Sequence, residues 1–428
     1  MKKKRNRPPA LVIIIVAAIL TGGCATMQTD MKSLYSSGLL QIKAFGALKL
    51  GKYDQAIQCY KEILAAEPDN VKALKNIGSA YIRLRQGAEA AEYLERARGL
   101  DQQDLEIVIL LGTAYALVPD YRKAVETLKI HAQREPDSAT TDRINRQLTV
   151  FLHKEAELAA RKAVLQEKEL AAAPLNPSTV AVTYFGDMGL TERIKPLQKA
   201  LAAIIITDLS NVPSLTVVER VKLQKLLEEM KMGSAGIVDA NTAPKVGRLL
   251  GAGKIVTGVM LGTDAKSMRI DSMVSSTAPI QHLGKQDAIG LVDEFFMLEK
   301  AIVFALLRDM KISLSSEEKE IINKFATKSY NALRYYGEGL NAQDQGDWDE
   351  AIRFFKLSAE ADPDGPGAKA LAAAPTSEQA RTDTVAFMDQ VQTATAPGKS
   401  ASTAATQTPA SSFDSLGDIG GGGGGGGY

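Results

Sequence analysis

Residues 51–64, GKYDQAIQCYKEIL, decide the fold of the N-terminal part of the chain, because two later segments repeat their pattern. These segments are GAEAAEYLERA at 87–97 and DYRKAVETLKI at 120–130, and their central alanines recur every 34 residues. Such a period is typical of helical hairpins that stack on one another, so we predict an α-solenoid. The positions that keep this register are Ala56, Ala90, Ala124, Tyr60, Leu94, Leu128, Gly78, Gly112, Tyr81, Tyr115, Pro68 and Pro136.

The small residues of this pattern have a physical reason. Only Gly or Ala fits where the two helices of a hairpin cross closely, and a proline ends the second helix. The pattern resembles the tetratricopeptide repeat, and about three units are predicted over 33–138. The first unit has Ala44 and Ala47 where Gly and a large aromatic are usual, so we expect it to act as a cap. The resemblance implies a concave groove that binds protein partners.

A fourth unit of the same kind is predicted far downstream, over 317–365. Its matching residues are Tyr335, Gly339, Ala351, Phe355 and Pro363, and its inter-helix turn contains the only tryptophan, Trp348. A single repeat cannot bury its own apolar face. We therefore expect this hairpin to pack on the middle domain, on the N-terminal array or on another copy. Trp348 is interpreted as a packing residue, with a partner contact as the alternative.

Residues 139–177 are interpreted as a connecting helix and a linker. The stretch is rich in Glu, Lys, Arg, Ala and Leu, with irregular apolar spacing. This composition favours a solvated helix that caps the array over a coiled-coil contact.

The middle domain, residues 178–313, is predicted to be α/β because short β-rich runs alternate with helical stretches. The predicted strands are 180–185, 215–218, 254–261 and 267–275, and the predicted helices are 194–209, 220–230, 243–250 and 291–310. The complete fold class is therefore an N-terminal α-solenoid, an α/β domain, an isolated C-terminal helical hairpin and a disordered tail.

The stretch 217–260, VVERVKLQKLLEEMKMGSAGIVDANTAPKVGRLLGAGKIVTGVM, resembles the CsgG-like family of curli secretion components. The residues that carry the resemblance include Glu219, Arg220, Gly236, Asp239, Gly251 and Gly258. Thr242 is expected to cap the helix that begins at Ala243, and Gly251 to end it in the left-handed conformation. Glu219 and Arg220 are interpreted as a structural ion pair or cap at the corner between strand and helix, with a catalytic dyad as the alternative.

In the best-known member of that family, subunits form a ring that spans the outer membrane with β-hairpins. Membrane strands need about 9–11 residues of alternating polarity. We interpret 262–266 and 277–286 as short polar connections, so a pore is not expected. Self-association through the soluble domain remains open.

The N-terminus is predicted to direct export. A basic start and the apolar run ALVIIIVAAIL at 10–20 are typical of a signal peptide over residues 1–23. Cys24 follows two glycines and resembles the acylated cysteine of a bacterial lipoprotein, although Thr21 stands where an apolar residue is usual. The resemblance implies a lipid anchor at the outer membrane, facing the periplasm. An ordinary signal peptide is the alternative.

Composition and motifs argue against several classes of function. The net charge is +1, with 51 Lys and Arg against 50 Asp and Glu, so nucleic-acid binding is not expected. No phosphate-binding loop, nucleophile elbow or metal-ligand spacing is found, so no enzyme activity, cofactor or metal is predicted. Residues 366–428 are rich in Ala, Thr, Ser and Gly and are predicted to be a disordered tail.

The leading functional hypothesis is an outer-membrane lipoprotein that acts as a protein-binding scaffold in an envelope secretion or surface-assembly system. Its partners would be proteins bound in the repeat groove and the membrane bound through acylated Cys24. The alternatives are an oligomeric CsgG-type secretion channel subunit and a peptidoglycan-associated envelope factor.

Overall fold

The computed structural model describes residues 38–132, 139–231, 238–239, 241–262 and 267–381. The predictions for residues 1–37, which include the signal peptide and Cys24, lie outside the described residues. So do Pro136, Gly236, the connection at 263–266 and the tail from 382 onward.

Six helices form three antiparallel hairpins at the N-terminal end of the described chain, which gives the predicted solenoid. They are α1 (38–49), α2 (Tyr53–Ala66), α3 (Val71–Arg83), α4 (Gly87–Leu100), α5 (Leu105–Leu117) and α6 (Tyr121–Lys129). Side-chain oxygens begin several of these helices in a regular way: Asn70 accepts from the N–H of Ala73 at 2.9 Å, and Asp104 accepts from that of Glu106 at 2.9 Å. The second and third hairpins thus start from a local sequence signal.

The long helix α7 (Ala139–Leu165) belongs to two parts of the molecule at once. Its first half buries Ile144, Leu148 and Phe151 against α5 and α6 and so caps the array. Its second half buries Ala160 and Ala163 in the core of the α/β domain. The prediction of a solvated connecting helix is therefore incomplete, because both halves of α7 are packed. The short helix α8 (Glu167–Ala172) follows it.

The middle domain is a six-stranded mixed sheet with helices on both faces. Five strands follow the order β3-β1-β4-β5-β6, and β2 pairs with β4. β1, β3 and β4 run parallel, whereas β5 and β6 continue the sheet antiparallel. The strands are β1 (Asn176–Val182), β2 (Gly186–Met188), β3 (Thr216–Val217), β4 (Ala252–Gly262), β5 (Ser267–Thr277) and β6 (Ile280–Leu291).

Alternate residues of the central strands face two different helix layers, as expected for strands with period two. Val180 and Val182 pack toward helices α9 and α12, whereas Ala181 packs toward α10, α11 and the end of α7. The helices are α9 (Leu197–Ser210), α10 (Arg220–Glu229), α11 (Ala243–Leu249) and α12 (Phe295–Asp309), which follows a 3₁₀ turn at Val292–Glu294. The predicted fold class, a helical array followed by an α/β domain, is confirmed.

The bounds of strand β6 contradict two predictions made from the sequence. Residues 277–286 are not a connection, since β5 extends to Thr277 and β6 begins at Ile280. The closing helix starts at Phe295 and not at 291, because Leu291 still belongs to β6. Polar residues and two glycines interrupt the apolar alternation of this edge strand, and this hid its period from the sequence analysis.

The C-terminal hairpin packs on the α/β domain. It consists of α14 (Tyr330–Asp344) and α15 (Trp348–Ala361), preceded by α13 (Ser316–Asn323). Its apolar face is covered by Ala203 of α9 and by helix α16 (Pro366–Ala373), and α17 (Ser377–Arg381) follows. The predicted disordered tail was therefore wrong for 366–381, where Gly365 and Pro366 begin a helix instead of a flexible segment.

Candidate functional site

The repeat signature residues build the interior of the array. Ala56, Ala90 and Ala124 are completely buried. A Cβ at Gly78 would lie 2.8 Å from Cδ2 of Leu94, and one at Gly112 would lie 3.1 Å from Cγ of Leu128. In the C-terminal hairpin, a Cβ at Gly339 would overlap the ring of Phe355, beside the fully buried Ala351. These residues set how closely the helices approach, so they leave partner contacts to other side chains.

The signature tyrosines join neighbouring helices. Tyr60 is buried and accepts a hydrogen bond from Asn76 at 2.9 Å. Tyr81 stacks on Tyr93 with ring centroids 5.7 Å apart. Tyr115 donates to Glu95, and burial, followed by this carboxylate, raises the pKa of Tyr115 to about 12. Pro68 is exposed in the turn after α2, where proline cannot continue the helix.

The open surface of the array is concentrated on α1. Ile42 is 73% exposed and Phe45 is 53% exposed, although Ala44 and Ala47 of the same helix are buried. Phe45 lines a shallow pocket between α1, α2 and α3 together with Tyr60 and Lys72. Repeat signatures report packing positions and therefore missed this surface. The spacing of Leu39, Ile42 and Phe45 opposite the buried alanines was the available signal.

A second candidate site lies where three parts of the molecule meet at the start of α10. Glu219 accepts a hydrogen bond from Lys129 of the repeat array. Arg220 faces the C-terminal hairpin instead, where it donates to Asp344 and, at 2.8 Å, to Oε1 of Gln343. The two residues therefore do not pair with each other, and the Glu219 side chain does not cap α10. The predicted ion pair or cap at this corner is therefore wrong, because each residue pairs with a distant element instead.

Asp344 is the centre of this junction. Its side chain is 2% exposed and lies 2.8 Å from Nζ of Lys199, and it accepts from the Tyr184 hydroxyl at 2.9 Å. Burial opposes ionisation, but Arg220 and Lys199 outweigh it, so the pKa of Asp344 lies below its ordinary value. The carboxylate thus stays charged between two cations and ties α14 to α9 and α10.

His153 of α7 and Trp348 of α15 connect the capping helix to the same hairpin. Their rings meet edge to face with centroids 5.2 Å apart, and Trp348 is only 7% exposed. Nε2 of Gln343 lies 3.5 Å from Nε2 of His153. Trp348 is therefore a packing residue, as the sequence favoured. Burial, then the charges of Arg220 and Lys225, lower the pKa of His153 to about 3.

This junction predicts a pH-dependent stability. An unfolded histidine has a pKa of about 6.5, so His153 is neutral in both states above that pH. As pH falls from about 6.5 toward 3, only the unfolded chain binds the proton, and stability is lost. Because His153 as a whole residue is only half-buried, we expect a loss of about 1 kcal/mol between pH 7 and pH 5, below the full linkage value.

The measurement is urea unfolding at both pH values, with His153→Phe as the matched variant. Phenylalanine keeps the edge-to-face contact with Trp348 but cannot titrate. The variant is expected to lose about 1 kcal/mol less than the parent over the same interval. Equal losses in the two proteins would contradict the assignment to His153.

The other residues of the CsgG-like stretch have local structural roles. Thr242 does not cap α11 with its side chain, which corrects the prediction. Instead Asp239 accepts from the N–H groups of Asn241 and Thr242, both at 2.8 Å, because an aspartate carboxylate readily bonds backbone N–H groups two or three residues further along the chain in a turn. Gly251 ends α11 with φ of +69°, and a Cβ at Gly258 would lie 2.5 Å from the carbonyl oxygen of Asp271.

A cavity of about 280 Å³ lies beside the junction, at the carboxyl end of β1. Lys195, Glu192 and Glu338 are among its lining residues. Within the described ranges, no group of three or more side chains suits a metal ion. No helix in the same part of the chain is long and apolar enough to cross a membrane.

Comparison with known proteins assigns two regions. Residues 158–269 match the family described as curli production assembly/transport component CsgG. Residues 46–104 match the tetratricopeptide repeat. The CsgG match begins inside α7, in agreement with the packing of that helix on the α/β domain, and it ends before β6.

Curated relatives match short stretches of this chain. The bovine BBSome complex member BBS4 is 33% identical over 89 residues, which is 21% of this chain and 17% of BBS4. The CTR9 homolog of Arabidopsis thaliana is 35% identical over 65 residues, which is 15% of this chain and 6% of the relative. The chain thus spans less than a fifth of the length of these relatives.

One similar solved structure is the second TPR domain of human RPAP3 in complex with an HSP70 peptide. It is 23% identical, covers 27% of this chain and 95% of its own, and has a TM-score of 0.26, too low to support an argument. The two family matches and the architecture agree with each other. The chain therefore joins tetratricopeptide repeats to a CsgG-like α/β region.

Proposed function

We propose that this protein is a lipid-anchored scaffold of the bacterial cell envelope, which holds a protein partner on its repeat array beside a CsgG-like domain. The observation that carries the proposal is the open surface of α1. A monomeric protein seldom leaves several large apolar side chains together on one helix face without a partner. Ile42 and Phe45 form such a face next to Lys72.

The chemistry of this surface indicates the kind of partner. Phe45 offers an aromatic ring at a shallow pocket, and Lys49 lies with its ammonium 5.4 Å from the centre of that ring. Aromatic side chains in pockets are the usual anchors of protein interfaces. A partner segment with apolar side chains and carboxylates would complement this combination of aromatic and basic groups.

The packing of the array supports a scaffold more than a flexible tether. α7 is shared between the array and the α/β domain, and Lys129 reaches Glu219 across the same boundary. A bound partner would therefore be held at a fixed position relative to the CsgG-like domain. Acylation of Cys24 would place this assembly at a membrane, which we propose to be the outer membrane, on its periplasmic side.

The experiment is site-specific cross-linking in the native cells. A photo-reactive residue at Ile42 is expected to give a discrete cross-linked protein, whereas one at Ile321, an exposed position on α13, is expected to give none. Adding Phe45→Asp to the Ile42 probe should reduce the product by about tenfold or more, since a central aromatic anchor contributes about 2 kcal/mol or more.

Cys24→Ser tests the anchor in the same cells. The parent is expected in the membrane fraction and the variant in the soluble fraction, with the folded protein retained in both. Equal cross-linking from Ile42 and Ile321 would contradict the scaffold proposal. Loss of membrane association only on removal of the partner would contradict the lipid anchor.

A further inference from the structure

Strand β6 forms an open edge of the sheet. Among the described strands it pairs only with β5, and it is 12 residues long. Ile280 and Ile289 on this strand are exposed by 68% and 60%. Exposed edges of this length present unpaired backbone groups that another strand can use.

A buried amide on the same strand lacks partners. Gln286 is 8% exposed, and within the described residues neither its amide oxygen nor its amide nitrogen has a hydrogen bond. Its neighbour across the β5–β6 ladder is Ser272, whose buried hydroxyl is also without a partner. Because both amide atoms are already fully covered in the single chain, a second molecule cannot reach them, and a partner must pair with the backbone and the exposed face of β6.

Opposite charges flank this glutamine. Lys285 and Asp287 both point to the exposed face of β6. Within the described residues Lys285 makes no ion pair, and Asp287 lies 3.7 Å from the guanidinium of Arg269. A strand with this order of charges is complementary to a second copy of itself in antiparallel orientation.

We propose that two copies of this chain associate through β6, paired antiparallel with Gln286 on the two-fold axis. In that register Lys285 of each copy lies opposite Asp287 of the other. In the same register the two Gln286 residues lie opposite each other, with Cβ atoms about 4.5–5.5 Å apart.

Neighbouring registers are less favourable. Shifting the axis to Lys285 places two lysines opposite each other, and shifting it to Asp287 places two aspartates opposite each other. Like charges directly opposite destabilise a strand pair. The register of the β5–β6 ladder shifts at Leu283, which lies unpaired between Gly284 and His282, so the proposed pairing would centre on residues 284–288.

This inference concerns the α/β domain and goes beyond the proposed scaffold role, which does not require a second copy. The order of the charges also distinguishes β6 from an edge strand whose charges only prevent pairing with other strands. A protective lysine would repel any approaching strand. Here the alternating charges select one partner, the same strand of another copy.

The test is a charge-reversal cycle on the protein lacking residues 1–24, followed by sedimentation velocity over a concentration series. Lys285→Asp alone and Asp287→Lys alone each create two like-charge pairs, and each is expected to raise the dimer dissociation constant about tenfold or more. The double variant restores both pairs and should dimerise like the parent. An equimolar mixture of the two single variants should form heterodimers.

Thermal midpoints of the four proteins control for folding, since these exposed positions should change stability little. A parent protein that remains monomeric at all concentrations would overturn the proposal and leave the charges as protection of the edge. A dimer that ignores both reversals would overturn it equally, because its interface would lie elsewhere. Recovery in the mixture supports the proposed register.

Discussion

Replacing Asp344 with asparagine is expected to lower the free energy of unfolding by about 3–5 kcal/mol. The substitution keeps the shape of the side chain but removes the charge that lies between Lys199 and Arg220. Both cations are largely buried, with side chains 10% and 12% exposed. Each would then remain in the interior without its counter-charge, which costs far more than an exposed ion pair contributes.

The measurement is urea unfolding followed by the fluorescence of Trp348, the only tryptophan of the chain, which lies in the same hairpin. Asp349→Asn is the matched control, since this substitution removes the same charge from an exposed position of the same hairpin. It should change stability by less than about 0.5 kcal/mol. A similar small loss for Asp344→Asn would show that the junction is not held by this carboxylate.

This junction also shows which part of the site the sequence predicts. The sequence predicts a structural role for Glu219 and Arg220, but it pairs them with each other and does not predict their actual partners. Arg220 reaches Asp344, and Glu219 reaches Lys129. Such long-range pairs leave no local signal, because neither charge pattern nor helix spacing relates residues so far apart in the chain. The packing of the C-terminal hairpin on α9 brings Arg220 and Asp344 together, and the packing of the repeat array beside the α/β domain brings Lys129 to Glu219.

The repeat array was predictable for the opposite reason. Its 34-residue period places the small and large residues of each hairpin in the same relation, so neighbouring sequence contains the packing rule. Gly78 faces Leu94 and Gly112 faces Leu128 because both pairs belong to one template. The edge strand β6 follows no such template, and its mixture of Gly, Lys, Asp and Ile satisfies no single period. Its identity depends on pairing with β5.

The second large effect on stability is expected where the C-terminal hairpin packs closely on the α/β domain. Gly337 of α14 packs against the first turn of α9, where a Cβ would lie 2.7 Å from the carbonyl carbon of Pro196 and overlap its oxygen. Since this obstacle is backbone, Gly337→Ala must push α14 away from α9. We expect a loss of about 1–3 kcal/mol, even though alanine favours helix more than glycine does.

Gly46→Ala is the matched control, because Gly46 lies inside α1 and a Cβ there meets nothing within 4 Å. This control is expected to stabilise the array by up to about 1 kcal/mol through helix propensity alone. The two variants therefore make the same chemical change with opposite signs, and urea unfolding distinguishes them. Trp348 fluorescence should report the loss in Gly337→Ala, since α14 and α15 form one hairpin. If Gly337→Ala were stabilising as well, the hairpin would not rest on α9 at this point, and Arg220 and Asp344 would have to meet without that support.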